Sequence, residues 1–279
     1  MRFTATVLLW LFTATALAIA VPAGWAQLNL VDVDGYGALA ERAATDPALQ
    51  AAAAAELSTE ATALINERGY SADPQLVRRI ATAYTAGPAF PRQFAQANRL
   101  AHQWLFSNDR SGADPWVIDL APMLGDEAFQ QLLADHHVRM PSTATVPLTV
   151  SGSTTLQPGT LRPLATWGPW VSIAAALAMG IGALLTVAAA RSRGRALAAL
   201  GVSALLVGAA GWAGLEIARR RINEALNHTV GEVRRIADVM VDQAEASLHR
   251  WLDVTLAVGG VLVVFGVLVA MAGSLRKRA

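Results

Sequence analysis

The sequence predicts a mainly α-helical membrane protein. It reads as four transmembrane helices, an exported α-rich domain with at most a small β element, and an exported helical hairpin. Three observations predict this. Of 279 residues, 54% are hydrophobic and only 15% charged, against about 25% charged in an ordinary soluble domain. Four stretches, Phe3 to Trp25, Trp167 to Ala190, Ala196 to Leu215 and Val254 to Gly273, contain no Asp, Glu, Lys, Arg or His. Each reaches the roughly 20 apolar residues that a hydrocarbon core demands, where a helix satisfies its own backbone. Finally, the basic residues sort by side.

Residues 1–26 read as the first transmembrane helix, an uncleaved signal anchor. Arg2 supplies a short basic flank, and Gly24-Trp25-Ala26 is the competing small-x-small cleavage site. The apolar run exceeds a signal-peptide core, and Trp25 suits a membrane boundary, which favours retention. The other spans are 167–190, 196–215 and 254–275. Arg2, the turn 191–195 and the tail 276–279 together hold seven basic residues and no acidic one. Residues 26–166 hold nine basic and fourteen acidic residues, and 216–253 six and seven. Basic flanks stay in the cytoplasm, so both termini are expected inside and the main domain outside the plasma membrane. Trp25, Trp167, Trp170, Trp212 and Trp251 all fall at the outer ends of spans, where an indole buries its ring and wets its N–H.

The exported domain, 27–150, is punctuated as short helices. Asp34 is placed to cap a helix through Tyr36 and Leu39. Asp46-Pro47 and Asp73-Pro74 each pair an N-cap with proline at the first helical position, and Gly69 and Gly87-Pro88 end the two helices. Leu49, Ala53, Leu57, Ala61 and Leu64 form one stripe of the first. A further helix runs from Pro91 to Phe106. Beyond Asn108 to Gly112, Trp116 to Leu120 and Thr145 to Val150 are β-prone, with a helix near Asp126 to Asp135 between them. Residues 151–166, rich in Ser, Thr, Gly and Pro, read as a linker.

Residues 216–253 are too polar to span. Leu226, Val230, Val233, Ala237, Met240, Ala244 and Leu248 recur every three or four residues as an apolar seam. Thr229 to Glu232 fits a capping box. The third span is expected to continue to about Leu226, turn, and return as a helix from Gly231. The seam is expected to pack on the exported domain, with a partner or a second copy as the alternative occupant.

Composition excludes several chemistries. A net charge of +1 gives no reason for a nucleic-acid partner, and zero cysteines exclude disulfides, thiolate zinc and Cys nucleophiles. Spans without ionisable groups suit packing rather than ion-coupled transport. Ala176/Gly180, Ala178/Gly182, Ala204/Gly208 and Ala210/Gly214 are small pairs that permit close helix contact, within the chain or in a homo-oligomer. No metal site is expected. Adjacent His136 and His137 diverge by about 100° on a helix and lack a second ligand cluster. Asp32-Val-Asp34-Gly35 opens like a calcium loop, but Ala43 stands where the bidentate Glu belongs. No cofactor motif occurs.

The polar group of most interest is Asn98, Arg99 and His102, at the edge of the face formed by Phe94, Ala101 and Leu105. Partly buried, these side chains need partners. One reading is a binding or catalytic His with Asp119 nearby. The other is a structural network tying helix to strand.

With those residues in view, the chain resembles a family of actinobacterial four-span integral membrane proteins with no established activity. The likeness rests on Asp32, Asp34 and Tyr36, then Asp46, Pro47, Ala48 and Gln50. It continues with Phe94, Asn98, Arg99 and His102, then Ile118, Asp119, Leu120 and Pro122. A basic turn between later spans and a final span with a basic tail also match. Gly35 stands before Tyr36 where the family usually has a polar residue. The resemblance implies fold and topology and carries no activity.

The expected function is therefore a non-enzymatic envelope scaffold or interaction module. A lipid or hydrophobic-ligand binder using the seam is the alternative, and a hydrolase centred on His102 the weakest reading. The expected partners are the bilayer and an envelope protein or lipid.

Overall fold

The computed structural model describes residues 2–67, 69, 71, 73–106, 117–119, 130–131, 145–147, 159–227 and 231–275. In chain order these form α1 (Arg2–Ala26), a π-helical segment (Gln27–Val31), α2 (Val33–Ala43), α3 (Pro47–Glu67), α4 (Pro74–Thr85) and α5 (Phe90–Phe106). Then come β1 (Val117–Asp119), β2 (Thr145–Pro147), α6 (Arg162–Ala189), α7 (Arg193–Leu226) and α8 (Glu232–Leu275). The protein is mainly helical. Four of its helices are long and apolar enough to cross a membrane: α1, with the π-helical segment beyond it, α6, α7 and α8.

The chain divides into two compact units. One comprises Met1–Asp32, Leu164–Ala225 and Ala244–Ala279, and the other Val33–Pro163 with Leu226–Gln243.

The first unit holds the four apolar helices. Its surface carries Leu8, Leu184, Leu206 and Val261 at 62, 72, 60 and 69% exposure. Large apolar side chains displayed on every helix need a hydrocarbon solvent. Contacts inside the unit are made through small and hydroxyl residues. Thr13 Oγ1 lies 3.5 Å from Thr186 Oγ1, each hydroxyl also donating to its own helix, to Leu9 O and Gly182 O at 2.7 Å. A Cβ at Gly182 would sit 2.6 Å from Thr13 Oγ1. Trp10 Nε1 donates to Ala199 O at 3.0 Å, joining α1 to α7.

α7 and α8 run antiparallel and touch backbone to backbone. Gly194, Gly201 and Gly208 are spaced by seven residues, as are Gly259 and Gly266. A Cβ on Gly201 would lie 2.6 Å from Gly259 O, and one on Gly259 2.9 Å from Gly201 O. Gly194 faces Gly266 and Ala270 in the same way, while Gly208 is covered by Leu256. A seven-residue repeat keeps one stripe on the partner helix. The small pairs anticipated from sequence divide accordingly. Ala204/Gly208 and Gly182 are at contacts, whereas Gly180 and Gly214 meet nothing within 4 Å.

The second unit packs α2 against α5 and α3 against α4. Its core joins Ala43, Ala44, Leu49, Ala53, Tyr84 and Phe90. Leu57, Ile80, Phe94, Ile236, Val239 and Met240 pack against it. Tyr84 and Phe90 meet edge to face at 5.7 Å, and the Tyr84 hydroxyl donates to Gln93 Oε1. The Asp-Pro starts form as sequence suggests: Ala48 N donates to Asp46 Oδ1 at 2.7 Å, and Gln75 N to Asp73 Oδ1 at 2.9 Å. Gly69, at φ 77°, closes the turn after α3, its N–H donating to Asn66 O. β1 and β2 pair antiparallel, Ile118 opposite Val146. Gly159 N and Leu161 N donate to Trp104 O and Leu105 O at 3.1 Å, supplying donors to the last carbonyls of α5.

Two helix starts differ from the sequence reading. α2 begins at Val33, so Asp34 sits in its first turn, and the extended residue preceding the helix is Asp32 (φ −70°, ψ 129°). α8 begins at Glu232 after Gly231 at φ 73°. Glu232 is thus the first helical residue, and its carboxylate accepts from Arg235 Nη1 at 3.2 and 3.3 Å. Of the expected helix near Asp126 to Asp135 only Gln130 and Gln131 are described, and both are helical. Thr229, His136, His137 and residues 151–158 of the linker lie outside the described residues. The last residues of the expected linker, from Arg162, already belong to α6.

Candidate functional site

The three polar residues singled out on α5 face α2, and the partner the structure shows is Tyr36. A 3.6-residue period places Asn98, His102 and Phe106 on one face of α5. Asn98 is used at both ends of its amide. Its Oδ1 accepts from Tyr36 OH at 3.4 Å, and its Nδ2 donates to Phe94 O at 2.9 Å. Burial pushes the Tyr36 phenol above its ordinary pKa, so it remains a donor.

His102 is 5% exposed. Its ring stacks on Phe106 with centroids 4.1 Å apart and 12° between planes, and it meets Tyr36 at 5.2 Å. The imidazole is one layer of a three-ring pile between the two helices. Arg99 crosses Gly37, where a Cβ would overlap Nε and lie 2.7 Å from Cζ. Its Nε is 3.7 Å from Asp34 Oδ1, and Asp34 is 86% exposed. Because Gly37 has no side chain, the guanidinium stem lies flat against the α2 backbone.

Asp119, the other member of the anticipated group, pairs with Thr145 in the two-stranded ladder. Its side chain lies outside the described residues. Sequence reasoning chose Asn98, Arg99 and His102 from their spacing but gave Tyr36 and Gly37 no contact with them. The available signal was Gly35-Tyr36-Gly37, an aromatic flanked by residues that admit close approach.

The seam of residues 226–248 is shared between the units. Met240, with Ile236 and Val239, packs against the core of the second unit. Leu226 is half-buried and Val233 is 46% exposed. Leu248 is half-buried and belongs to the first unit, and Val230 lies outside the described residues.

A second polar group closes the first unit. Trp25 is 8% exposed, and its Nε1 donates to Ser247 Oγ at 3.3 Å. Ser247 in turn donates to Asn29 Oδ1 at 3.3 Å, and Asn29 Nδ2 donates back to Trp25 O at 2.9 Å. Trp25 is therefore a packing residue with a protein acceptor, not an indole with its N–H in water. Two residues before Ser247 on α8, Glu245 is 8% exposed and lies 3.8 Å from Arg219 Nε. His249 stacks on Trp212 at 3.9 Å.

Among the described residues no group of three His, Cys, Asp or Glu is placed to hold a metal. The arrangement around His102 offers a hydrogen-bond donor, an amide and an aromatic stack, each engaged within the α2–α5 contact. Comparison with protein-family models, curated proteins and solved structures finds no match.

Proposed function

We propose that this chain is a multi-pass plasma-membrane protein whose helical unit lies outside the cytoplasm and works as a non-enzymatic envelope scaffold or interaction module. Both termini are read as cytoplasmic, from the all-basic flanks. The observation that carries the scaffold reading is the composition of the second unit's core. Ile236, Val239 and Met240 come from α8, the helix that continues into the last apolar span, whereas Leu49, Tyr84 and Phe90 precede α6. A domain completed by residues on both sides of two spans is bound to the membrane throughout its life, which suits holding a partner at the envelope. The polar group on α5 supports the same reading, because Asn98 uses its amide oxygen on Tyr36 of α2 and its amide nitrogen on its own helix.

The chain has no cysteine, so single cysteines report cleanly. Ala63→Cys is expected to react with a membrane-impermeant maleimide in intact spheroplasts, and Ser192→Cys only after permeabilisation. The reverse pattern overturns the topology. Photo-crosslinkers on the exposed face of α4, at Gln75 and Thr82, are expected to give discrete adducts with envelope proteins. Crosslinks to lipid alone would favour the ligand-binding alternative.

A further inference from the structure

The contacts within the four-helix unit collect particular chain ends at one end of the bundle. Gly194, near the start of α7, faces Gly266 and Ala270, near the end of α8. Trp10 of α1 reaches Ala199 of α7, and Gly182 of α6 meets Phe12 and Thr13. The α6–α7 turn, the start of α1 and the end of α8 are thus neighbours. Arg191 in that turn and Arg193 and Arg195 in the first turn of α7 are all exposed. None of the three makes an ion pair among the described residues.

No acidic residue occurs between Arg162 and Leu215, or after Val254, and the acid nearest in sequence on α7 is Glu216. Twenty-one residues of helix separate it from Arg195, about 30 Å. The other arginine cluster is built differently. Arg219, Arg220 and Arg221 lie 3.8, 3.7 and 3.3 Å from Glu245, Glu216 and Glu224.

Three guanidiniums without an ion pair among the described residues, at the limit of an apolar bundle, meet one abundant anion at that depth, the lipid phosphodiester. Guanidinium binds it through parallel N–H donors, and basic residues beside membrane helices attract anionic headgroups. We propose that Arg191, Arg193 and Arg195 form a binding site for the headgroup of an anionic phospholipid, of the phosphatidylglycerol or cardiolipin type. The site rests on the four helices crossing a bilayer and not on which end faces the cytoplasm.

The test uses the full chain in phosphatidylcholine nanodiscs containing a minority of phosphatidylglycerol. Both bundle ends then see the same lipid, so a wrong topology leaves the result untouched. Native mass spectrometry counts the phosphatidylglycerol retained. Enrichment over the bulk fraction is expected, falling about five-fold for one arginine neutralised, and further in R191Q/R193Q/R195Q. The double variant R220Q/R221Q should keep it. If the triple variant does not fold, a salt series on the unaltered chain decides, since going from about 0.01 to 1 M shortens screening from about 30 to 3 Å. Absence of enrichment at low salt, retention in the folded triple variant, or equal loss in R220Q/R221Q each overturns the site.

Discussion

Trp25 and Ser247, far apart in sequence, are joined by an indole N–H donating to a serine hydroxyl at 3.3 Å. The π-helical stretch after Ala26 sets up this contact. Asp32 N bonds back five residues to Gln27 O at 2.9 Å, and the wider turn lets Asn29 reach both Trp25 O and Ser247. Such turns are among the identifiable places where a helix changes direction. Trp25→Ala should destabilise the detergent-solubilised chain by about 3–5 kcal/mol, the usual cost of deleting a buried aromatic. Ser247→Ala should cost less, about 0.5–2 kcal/mol, because polar contacts between membrane helices are individually modest. Thermal unfolding monitored by near-ultraviolet circular dichroism checks both. A Trp25→Ala chain as stable as the parent would show that α1 is not part of the packed bundle.

Gly201 and Gly214 lie on the same helix and should respond oppositely to a larger side chain. At Gly201 a Cβ would meet Gly259 O at 2.6 Å, while Gly214 has nothing within 4 Å. Gly201→Leu must separate α7 from α8 and is expected to cost about 3 kcal/mol or more, at or beyond the upper end of overpacking effects. Gly214→Leu should be neutral or slightly stabilising, since leucine favours helix over glycine. Size-exclusion profiles and thermal midpoints of the two proteins separate these outcomes.

Gly37 and Arg99 predict a coupled pair. Gly37→Ala drives a methyl into the guanidinium, a strain of about 1–3 kcal/mol. In an Arg99→Ala background the same substitution should be nearly harmless, because the overlapping atoms are gone. A double-mutant cycle by chemical denaturation should return an interaction energy above about 0.5 kcal/mol. Additive effects would place Arg99 elsewhere.

Glu56 carries a pH signature. Burial, then the nearby carboxylates of Glu60 and Glu232, hold its pKa above the ordinary value. A raised folded-state pKa means the folded protein binds this proton more tightly than the unfolded chain. Its contribution to stability is fully present below the unfolded value, about pH 4, and is lost as pH rises through the folded one. Glu56→Gln should therefore raise the thermal midpoint at neutral pH and lose that advantage near pH 4. An advantage constant across this range would contradict the shift.

The helices were largely legible in the sequence because their signals are local. Asp46-Pro47 and Asp73-Pro74 mark starts whose capping bonds are present, and uncharged runs mark the four apolar helices. What local pattern hides is which residues meet. Asn98 and His102 were recognisable as needing partners, but Tyr36 is sixty-two residues away from Asn98, and nothing in its own neighbourhood names that contact. The seven-residue glycine repeat on α7 was visible in principle. Four-residue small pairs drew attention instead, and two of them, Ala176/Gly180 and Ala210/Gly214, have glycines that meet no neighbour. Trp25 misled for a different reason: an indole at a span's end suits either an interface or a helix contact, and only Ser247 distinguishes them.

The discontinuous core of the second unit also sets an order of events at the ribosome. Leu49, Tyr84 and Phe90 are synthesised well before Ile236, Val239 and Met240. At roughly 5–20 residues per second, the helices 33–106 wait several seconds to tens of seconds for the strip that covers them. Throughout that interval two further apolar helices, α6 and α7, are made while the half-built core stands open. A nascent chain arrested before residue 232 would present an uncovered apolar face, a natural substrate for a chaperone.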